Sequence, residues 1–296
     1  MNNGIKEIVI LSGKGGTGKT TLTASFAVLF ERVVLADCDV DAADLHLILN
    51  PGLAERHEFW SGHEALIRKD LCTGCGICQS LCRFNAIINK GDGFIVDHFA
   101  CEGCGVCVRF CPEGAVDFRE RLCGEWMISE TAVGPMAHAR LIPSAENSGK
   151  LVAVVRKAAR DLAEARGISL ILVDGPPGIG CPVISSLTGA HAVVVVAEPT
   201  LSGEHDAQRV IKLARHFNIP AFLCINKWDI NPEVTERLER TAKNDGVTVL
   251  GRISYDRAVT VALTSGRTVF EMEGMEFRRS AAEIKSIWKS LKEAIS

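Results

Sequence analysis

The sequence predicts an α/β fold, a mostly parallel sheet with helices on both faces, interrupted by a smaller α+β domain rich in cysteine. Three observations predict it. Strand-length apolar runs alternate with helical stretches along most of the 296 residues, and runs apolar throughout suit parallel strands covered on both faces. A glycine-rich loop separates the first such run from a helical stretch. Between about residues 50 and 150 the alternation stops, and eight of the twelve cysteines fall within residues 72–111.

Taken in order, residues 5–11 (IKEIVIL) predict the first strand, and TTLTASFAVLFE after the loop has the spacing of a buried helix. RVVLADCDVD (32–41), ISLILVDGPPGIG (168–180), AHAVVVVAEPT (190–200) and IPAFLCINKWD (219–229) predict four more strands. Helical stretches at 203–216 and 232–245 lie between or after them, so the crossovers should be right-handed. GEWMISETAVGPMAHARL reads as two short strands joined at Gly134-Pro135. The expected organisation is a discontinuous α/β domain, residues 1–62 and 124–296, around an insertion at 63–123. The last helix puts Ile284, Ile287, Trp288, Leu291 and Ile295 on one face. Packing against the sheet explains this stripe better than a membrane surface does, because Glu276, Glu283 and Glu293 offset the basic residues.

Composition narrows the function classes. At 47% hydrophobic the chain can bury one large core and a satellite. A net charge of -3 and a pI near 6.3 supply no concentrated basic face, so no nucleic-acid partner is expected. No apolar run approaches the ~20 residues that span a bilayer, and Met1-Asn2-Asn3-Gly4 lacks the pattern of an export signal, so the expected address is cytoplasmic. Clustered cysteines in such a chain read as metal ligands and not as disulfides.

The loop Gly13-Lys14-Gly15-Gly16-Thr17-Gly18-Lys19-Thr20, followed by Thr21, fits the phosphate-cradle pattern G-x-x-x-x-G-K-[ST]. Its glycines let successive N–H groups point at phosphate oxygens, and the helix beginning near Lys19 adds its positive end. Lys19 would bridge the β and γ phosphates and Thr20 would ligate magnesium. Asp174, closing a strand, sits where an aspartate would hold magnesium through water. Asp37 closes another strand and is a candidate for the magnesium shell or for a helix cap. Asn226-Lys227-x-Asp229 ends a strand where open α/β sheets bind ligands; an N-K-x-D tetrad can accept guanine N–H donors, which keeps GTP in competition with ATP.

The cysteine region repeats itself: CTGCGICQSLCRFNAI from Cys72 and CEGCGVCVRFCPEGAV from Cys101 match at every cysteine, as a duplicated half-domain would. Each run is the bacterial ferredoxin spacing, in which three close thiolates hold one corner of a 4Fe–4S cubane and the fourth comes from the other run. One cluster would take Cys72, Cys75, Cys78 and Cys111, the second Cys82, Cys101, Cys104 and Cys107. Zinc is the competing chemistry for C-x-x-C pairs. The pattern is broken only after Cys82, where Arg83 stands at the place Pro112 holds after Cys111. Cys224 reads as core, Cys38 and Cys181 as packing, and Cys123 borders the insertion. The eight histidines show no ligand spacing.

Lys14, for which a generic cradle has no use, makes KGGTGKT resemble the deviant Walker A motif of the Mrp/MinD family of P-loop ATPases, to which the nitrogenase iron protein and arsenical-pump ATPases belong. The resemblance implies that Lys14 reaches across a homodimer formed on ATP binding and stabilises phosphoryl transfer at the partner's nucleotide, as an arginine finger does. DGPPG after Asp174 resembles the family's switch II and ADCDVD its switch I. Asp39 then orients the attacking water, and Lys14, Lys19 and Asp39 form the catalytic set. The resemblance also favours ATP over GTP, with Asn226 meeting adenine. It implies a magnesium-dependent ATPase whose nucleotide state is coupled, through two 4Fe–4S clusters, to electron transfer or metal-cofactor assembly on an unidentified redox or metalloprotein partner, a paralogous ATPase being one candidate. Two other functions fit the sequence: an iron-sulfur carrier or scaffold, and a positioning ATPase of the MinD sort with redox-sensing clusters.

Overall fold

The computed structural model describes residues 4–30, 32–91, 93–143, 145 and 148–295. The phosphate-cradle half of the chain starts with β1 (Lys6–Ser12), α1 (Lys19–Val28), β2 (Val34–Asp37) and α2 (Leu45–Leu49). The cysteine-rich stretch is bracketed by two sixteen-residue strands, β3 (Gly52–Ile67) and β6 (Val116–Thr131); between them lie α3 (Ile77–Leu81), β4 (Ile87–Asn89), β5 (Phe94–Val96) and α4 (Val106–Arg109). Then follow β7 (Gly134–Leu141), α5 (Ser148–Arg166), β8 (Leu170–Pro177), α6 (Cys181–Leu187), β9 (Ala192–Ala197), α7 (Leu201–His216), β10 (Ala221–Asn226), α8 (Pro232–Asn244), β11 (Thr248–Ile253), α9 (Arg257–Thr264) and α10 (Arg278–Ile295).

The sheet runs β11-β10-β9-β1-β8-β2-β7-β6-β3. Its central pairs, from β11 to β7, are parallel. β1, β2 and β9 are buried on both faces from one end to the other, apart from the first residue of β1, which is why they read as unbroken apolar runs. Helix starts follow the local chemistry: Thr200 accepts from Gly203 N ahead of α7, and Asn231 accepts from Val234 N ahead of α8 with Pro232 at its first position. The apolar face of α10 is consumed by the core. Ile284, Ile287, Trp288 and Leu291 are at most 5% exposed, and the Trp288 ring lies 5.1 Å from Phe26 and 4.3 Å from Phe30. Among the described residues no helix is long and apolar enough to cross a membrane.

Three expectations about elements need correction. β11 was absent from the predicted strands, because TVLGRI is short and interrupted by Gly251. β3 replaces the glycine-rich turns expected after residue 50; most of its side chains are exposed, so it carries no apolar run to announce it. The hairpin near 134 turns at Ala132–Val133, not at Gly134-Pro135, and its first strand is longer than expected. Gly134 opens β7 at φ 146°, and a Cβ there would fall 2.0 Å from the Val33 carbonyl oxygen, so close backbone approach is what that glycine serves.

The chain divides into two compact units. The first comprises Met1–His57, Trp126–Arg140 and Ser148–Ser296, and the second Glu58–Glu125 and Leu141–Asn147. Three of the four divisions fall inside strands, in β3, β6 and β7, so no composition break marks them. The second unit has its own small core of Ala65, Ile67, Ala86, Ile87, Phe94, Val96, Cys101 and Val116. β4 and β5 pair antiparallel, Ile87 opposite Val96. The internal repeat survives in the backbone: α3 follows Gly76 and α4 follows Gly105, both left-handed, near φ 73° and 72°.

Candidate functional site

β1 delivers the chain into the cradle loop, and the loop closes on α1 through Gly18, whose left-handed backbone (φ 89°) leaves no room for a side chain: a Cβ would sit 2.4 Å from Asn226 Nδ2. Gly15 through Leu22 then line one side of a cavity of about 550 Å³. Asp39, Asp41, Asp44, Asn226, Lys227 and Ser254–Asp256 are among the polar residues that complete its lining, with Pro176 and Pro177 beside them.

Parallel pairing puts Asp37 of β2 opposite Asp174 of β8, so the two strand-end acids arrive side by side. Lys19 Nζ lies 2.9 Å from Asp39 Oδ2 and 3.5 Å from Asp174 Oδ1. Thr20 Oγ1 donates to Asp174 Oδ2 at 2.6 Å, and Thr23 Oγ1 lies 3.1 Å from its other oxygen. Asp37 accepts Asp39 N and Leu45 N, both at 3.2 Å, which folds the loop after β2 back over the strand end. Burial opposes the charge on Lys19, yet Asp174 and Asp39 outweigh it and hold its pKa above the usual value. Burial, then the neighbouring Asp174 charge, pushes Asp37 well up; burial also raises Asp174, against the pull of Lys19. One ammonium therefore faces three acids in a nearly dry site.

Lys14 and Gly13 do not line this cavity. Lys14 Nζ turns toward the start of α7, 3.2 Å from Thr200 Oγ1 and 3.7 Å from Glu198 Oε2. Glu198 also pairs with Lys227, whose Nζ reaches the Gly16 carbonyl at 3.3 Å. The amide of Asn226 is occupied as well: Nδ2 donates to Thr17 O at 2.8 Å and Oδ1 accepts Lys227 N at 3.0 Å, making the residue a strut for the cradle. Asp229 lies outside the cavity lining, and its Oδ1 accepts Tyr255 N at 2.7 Å. One of the two carboxylate oxygens that a guanine would use thus already accepts from backbone.

Sequence reasoning missed Thr23, Glu198 and Tyr255. Thr23 stands one helical turn after Lys19, a spacing that could have found it. Glu198 and Tyr255 reach the site only through the order of the strands. The Thr17 hydroxyl, on a residue 2% exposed, has no hydrogen-bond partner among the described residues.

In the second unit the eight clustered cysteines divide between two small cavities. Cys72, Cys75, Cys78 and Cys111 line one, with Ile67, Phe94 and Val116 as its apolar wall. Cys82, Cys101, Cys104 and Cys107 line the other, with Ala65, Ile87 and Val96. Burial, and then in each case nearby backbone donors or cysteines of the same run, acts on Cys78 and Cys107, with a net rise in both thiol pKa values. Ala115 N donates to Cys111 Sγ at 3.3 Å. All twelve cysteines are free thiols, and among the described residues no three His, Cys, Asp or Glu side chains converge as ligands of a single metal ion. Cys224 is a buried core residue with its thiol pushed up to about 12, Cys38 is likewise buried, Cys123 donates to Ser61 O at 3.0 Å, and Cys181 is exposed at the start of α6.

Residues 8–269 match the CobQ/CobB/MinD/ParA nucleotide binding domain. An uncharacterized protein of Methanocaldococcus jannaschii is 35% identical over 231 residues, covering 77% of this chain and 80% of its own. Among solved structures, the cell division ATPase MinD of Pyrococcus furiosus superposes with a TM-score of 0.57 at 17% identity, covering 98% of this chain and 99% of its own. The septum site-determining protein MinD of Pyrococcus horikoshii, solved with Mg-ADP, gives 0.58 at 16% identity, covering 98% and 97%. These two share the mostly parallel α/β sheet. The chain belongs to the CobQ/CobB/MinD/ParA nucleotide-binding family.

Proposed function

We propose that the protein is a magnesium-dependent ATPase that closes as a homodimer on ATP and couples nucleotide state to two 4Fe–4S clusters, serving electron transfer or metal-centre assembly on a partner protein. In the nucleotide site Lys19 leaves Asp39 to bridge the β and γ phosphates, and Asp39, released, orients the attacking water. Magnesium would be held by the Thr20 hydroxyl with Asp174 and Asp37 behind it. Asp39 and Asp174 against the single Lys19 leave a surplus of negative charge that suits a divalent cation, which would neutralise developing charge on the phosphoryl oxygens. Lys14 lies on the rim, outside its own cavity, in keeping with a role across the dimer.

The observation that carries the cluster half is the division of the cysteines. Each cavity takes three thiols from one run and the fourth from the other, the interleaving that two cubanes require. The donor set fits: soft thiols, apolar walls and glycine backbone close by. Bound there, the clusters would supply one-electron chemistry, while Gly74, Gly76, Gly103 and Gly105 keep the backbone near enough to donate hydrogen bonds to sulfur.

Anaerobic purification with iron quantification and EPR, with and without ATP, tests the reading, with Lys14→Ala beside the native chain. We expect about eight irons per chain, an EPR spectrum that changes with ATP, and a Lys14→Ala protein that binds nucleotide without hydrolysing it. A colourless preparation made without oxygen, or a chain that stays monomeric with a non-hydrolysable ATP analogue, would refute it.

A further inference from the structure

The second unit carries a surface that the reading above, on which this inference rests, leaves unused. Ten of the nineteen large apolar side chains exposed among the described residues fall within residues 58–125, so the apolar surface is concentrated there. Four of the ten have a common placement. Ile77 and Leu81 precede Cys78 and Cys82, and Val106 and Phe110 precede Cys107 and Cys111. They are 39%, 40%, 36% and 56% exposed. The i, i+4 spacing puts Ile77 and Leu81 on one face of α3 and sets Phe110, which caps α4 and donates its N–H to the Val106 carbonyl, one turn beyond Val106, and α3 packs beside α4. Cys78 and Cys111 belong to the first cavity, Cys82 and Cys107 to the second. The exposed apolar residues are therefore chain neighbours of ligands to both cluster sites.

Charge completes the patch. Arg109 shares the face of Val106 one turn on, and Arg83 follows Cys82, the one place where the ferredoxin spacing is broken. Both guanidinium groups are exposed and neither has a hydrogen bond or ion pair among the described residues, whereas Arg68 and Arg119 of the same unit are paired with Asp117. Glu113 lines the first cavity and follows Arg109 in the chain, and Glu102 lines the second but already has an interaction of its own, so the acids beside the two cavities leave one of the two guanidinium groups without an offset. Free cations beside an apolar centre favour an anionic partner: charge steers the encounter and the apolar contact holds it.

We propose that this face docks an acidic one-electron carrier protein. In the docked pair the reduced carrier loses one electron and an oxidised cluster gains it, with no atom transferred. Placement beside four cluster cysteines favours an electron carrier over a lipid surface, which would gain nothing from that position.

The test uses the full chain with its clusters reconstituted, and reduced flavodoxin as the carrier, an acidic protein without iron that leaves the EPR of the clusters unobscured. Stopped-flow reduction is followed for the native chain, for the Arg83→Glu/Arg109→Glu double variant and for Phe110→Ser, with the small uncharged deazaflavin radical as a control reductant. We expect the second-order rate with flavodoxin to fall ten-fold or more in the double variant and several-fold in Phe110→Ser. It should also fall with rising salt in the native chain only, while deazaflavin reduces all three alike. Loaded variants that match the native rate, with no salt dependence anywhere, would overturn the docking face and leave the cluster reading standing. A chain that binds no iron would overturn the cluster reading and this face with it. Binding of the native chain to anionic vesicles, lost in the double variant without any change in electron entry, would reassign the patch to a lipid surface.

Discussion

The phosphate cradle and the cysteine cavities are built on opposite principles. The cradle is a charged site already wired by its own side chains: Lys19 sits on Asp39, Thr20 on Asp174, Asn226 on Thr17 and Lys227 on Glu198. On the proposed function, nucleotide would enter by exchanging these partners for phosphate, and the first unit is already wired without it. The cysteine cavities have almost no such wiring. Five of their cysteines pack directly against an eight-residue apolar core, and the walls are aliphatic or aromatic. A unit that small buries too little apolar surface to be secure by itself, so its inorganic contents would be part of its core, as structural metals are in other small domains. On that reading one site would bind a ligand and the other would be finished by one.

Mutations and metal removal can break or sharpen that contrast. The largest effect is expected from Lys19→Ala, which leaves Asp39 and Asp174 without their cation; hydrolysis should drop by about a thousand-fold or more in a phosphate-release assay, with the iron content unchanged. A nucleotide-site lesion that also emptied the cysteine cavities would contradict the separation. Cys111→Ser is the converse lesion. It should take iron from about eight to about four per chain, because it opens the first cavity only; loss of all iron would mean that the two cavities stand or fall together. Chelation of iron under anaerobic conditions is expected to make residues 58–125 sensitive to limited proteolysis while the first unit keeps its thermal transition. Equal protection before and after would show that the small unit is as self-sufficient as the large one. Leu291→Ala, in the helix face buried by the first unit's core, should cost about 3 kcal/mol in denaturant unfolding and leave iron content alone. The smallest effect is expected at Asp229, whose carboxylate serves Tyr255 N; Asp229→Asn should leave the ATP-over-GTP preference within about two-fold, since the lost backbone bond is worth about 1 kcal/mol.

What was legible in the sequence was whatever is made from contiguous chain. A phosphate cradle is one loop of consecutive backbone N–H groups, so Gly13 to Thr21 could be read directly. Two thiols three residues apart can wrap one corner of a cluster by local geometry alone, so both cysteine runs stood out as candidate ligand sets, and their repeat made the interleaving an expectation. The buried strands β1, β2, β8, β9 and β10 announced themselves because a strand covered on both faces must be apolar throughout. β3 gave no such sign, because an edge strand with most of its side chains in solvent has no pattern to keep.

The rest was decided by tertiary structure. Asp37 and Asp174 are far apart in the chain and meet because β2 and β8 pair in register. Asn226 and Asp229, expected as base-reading groups, also tie neighbouring loops, Asn226 through Thr17 O and Lys227 N and Asp229 through Tyr255 N, and only the fold brings those loops to them. Glu198 became the counter-charge to both Lys14 and Lys227 through the placement of β9 beside β1 and β10. A side chain's type says what bonds it can make, and local spacing says which neighbours along the chain can share them. Which distant partner takes the bond depends on strand order and register, and those are settled by burial summed over the whole core.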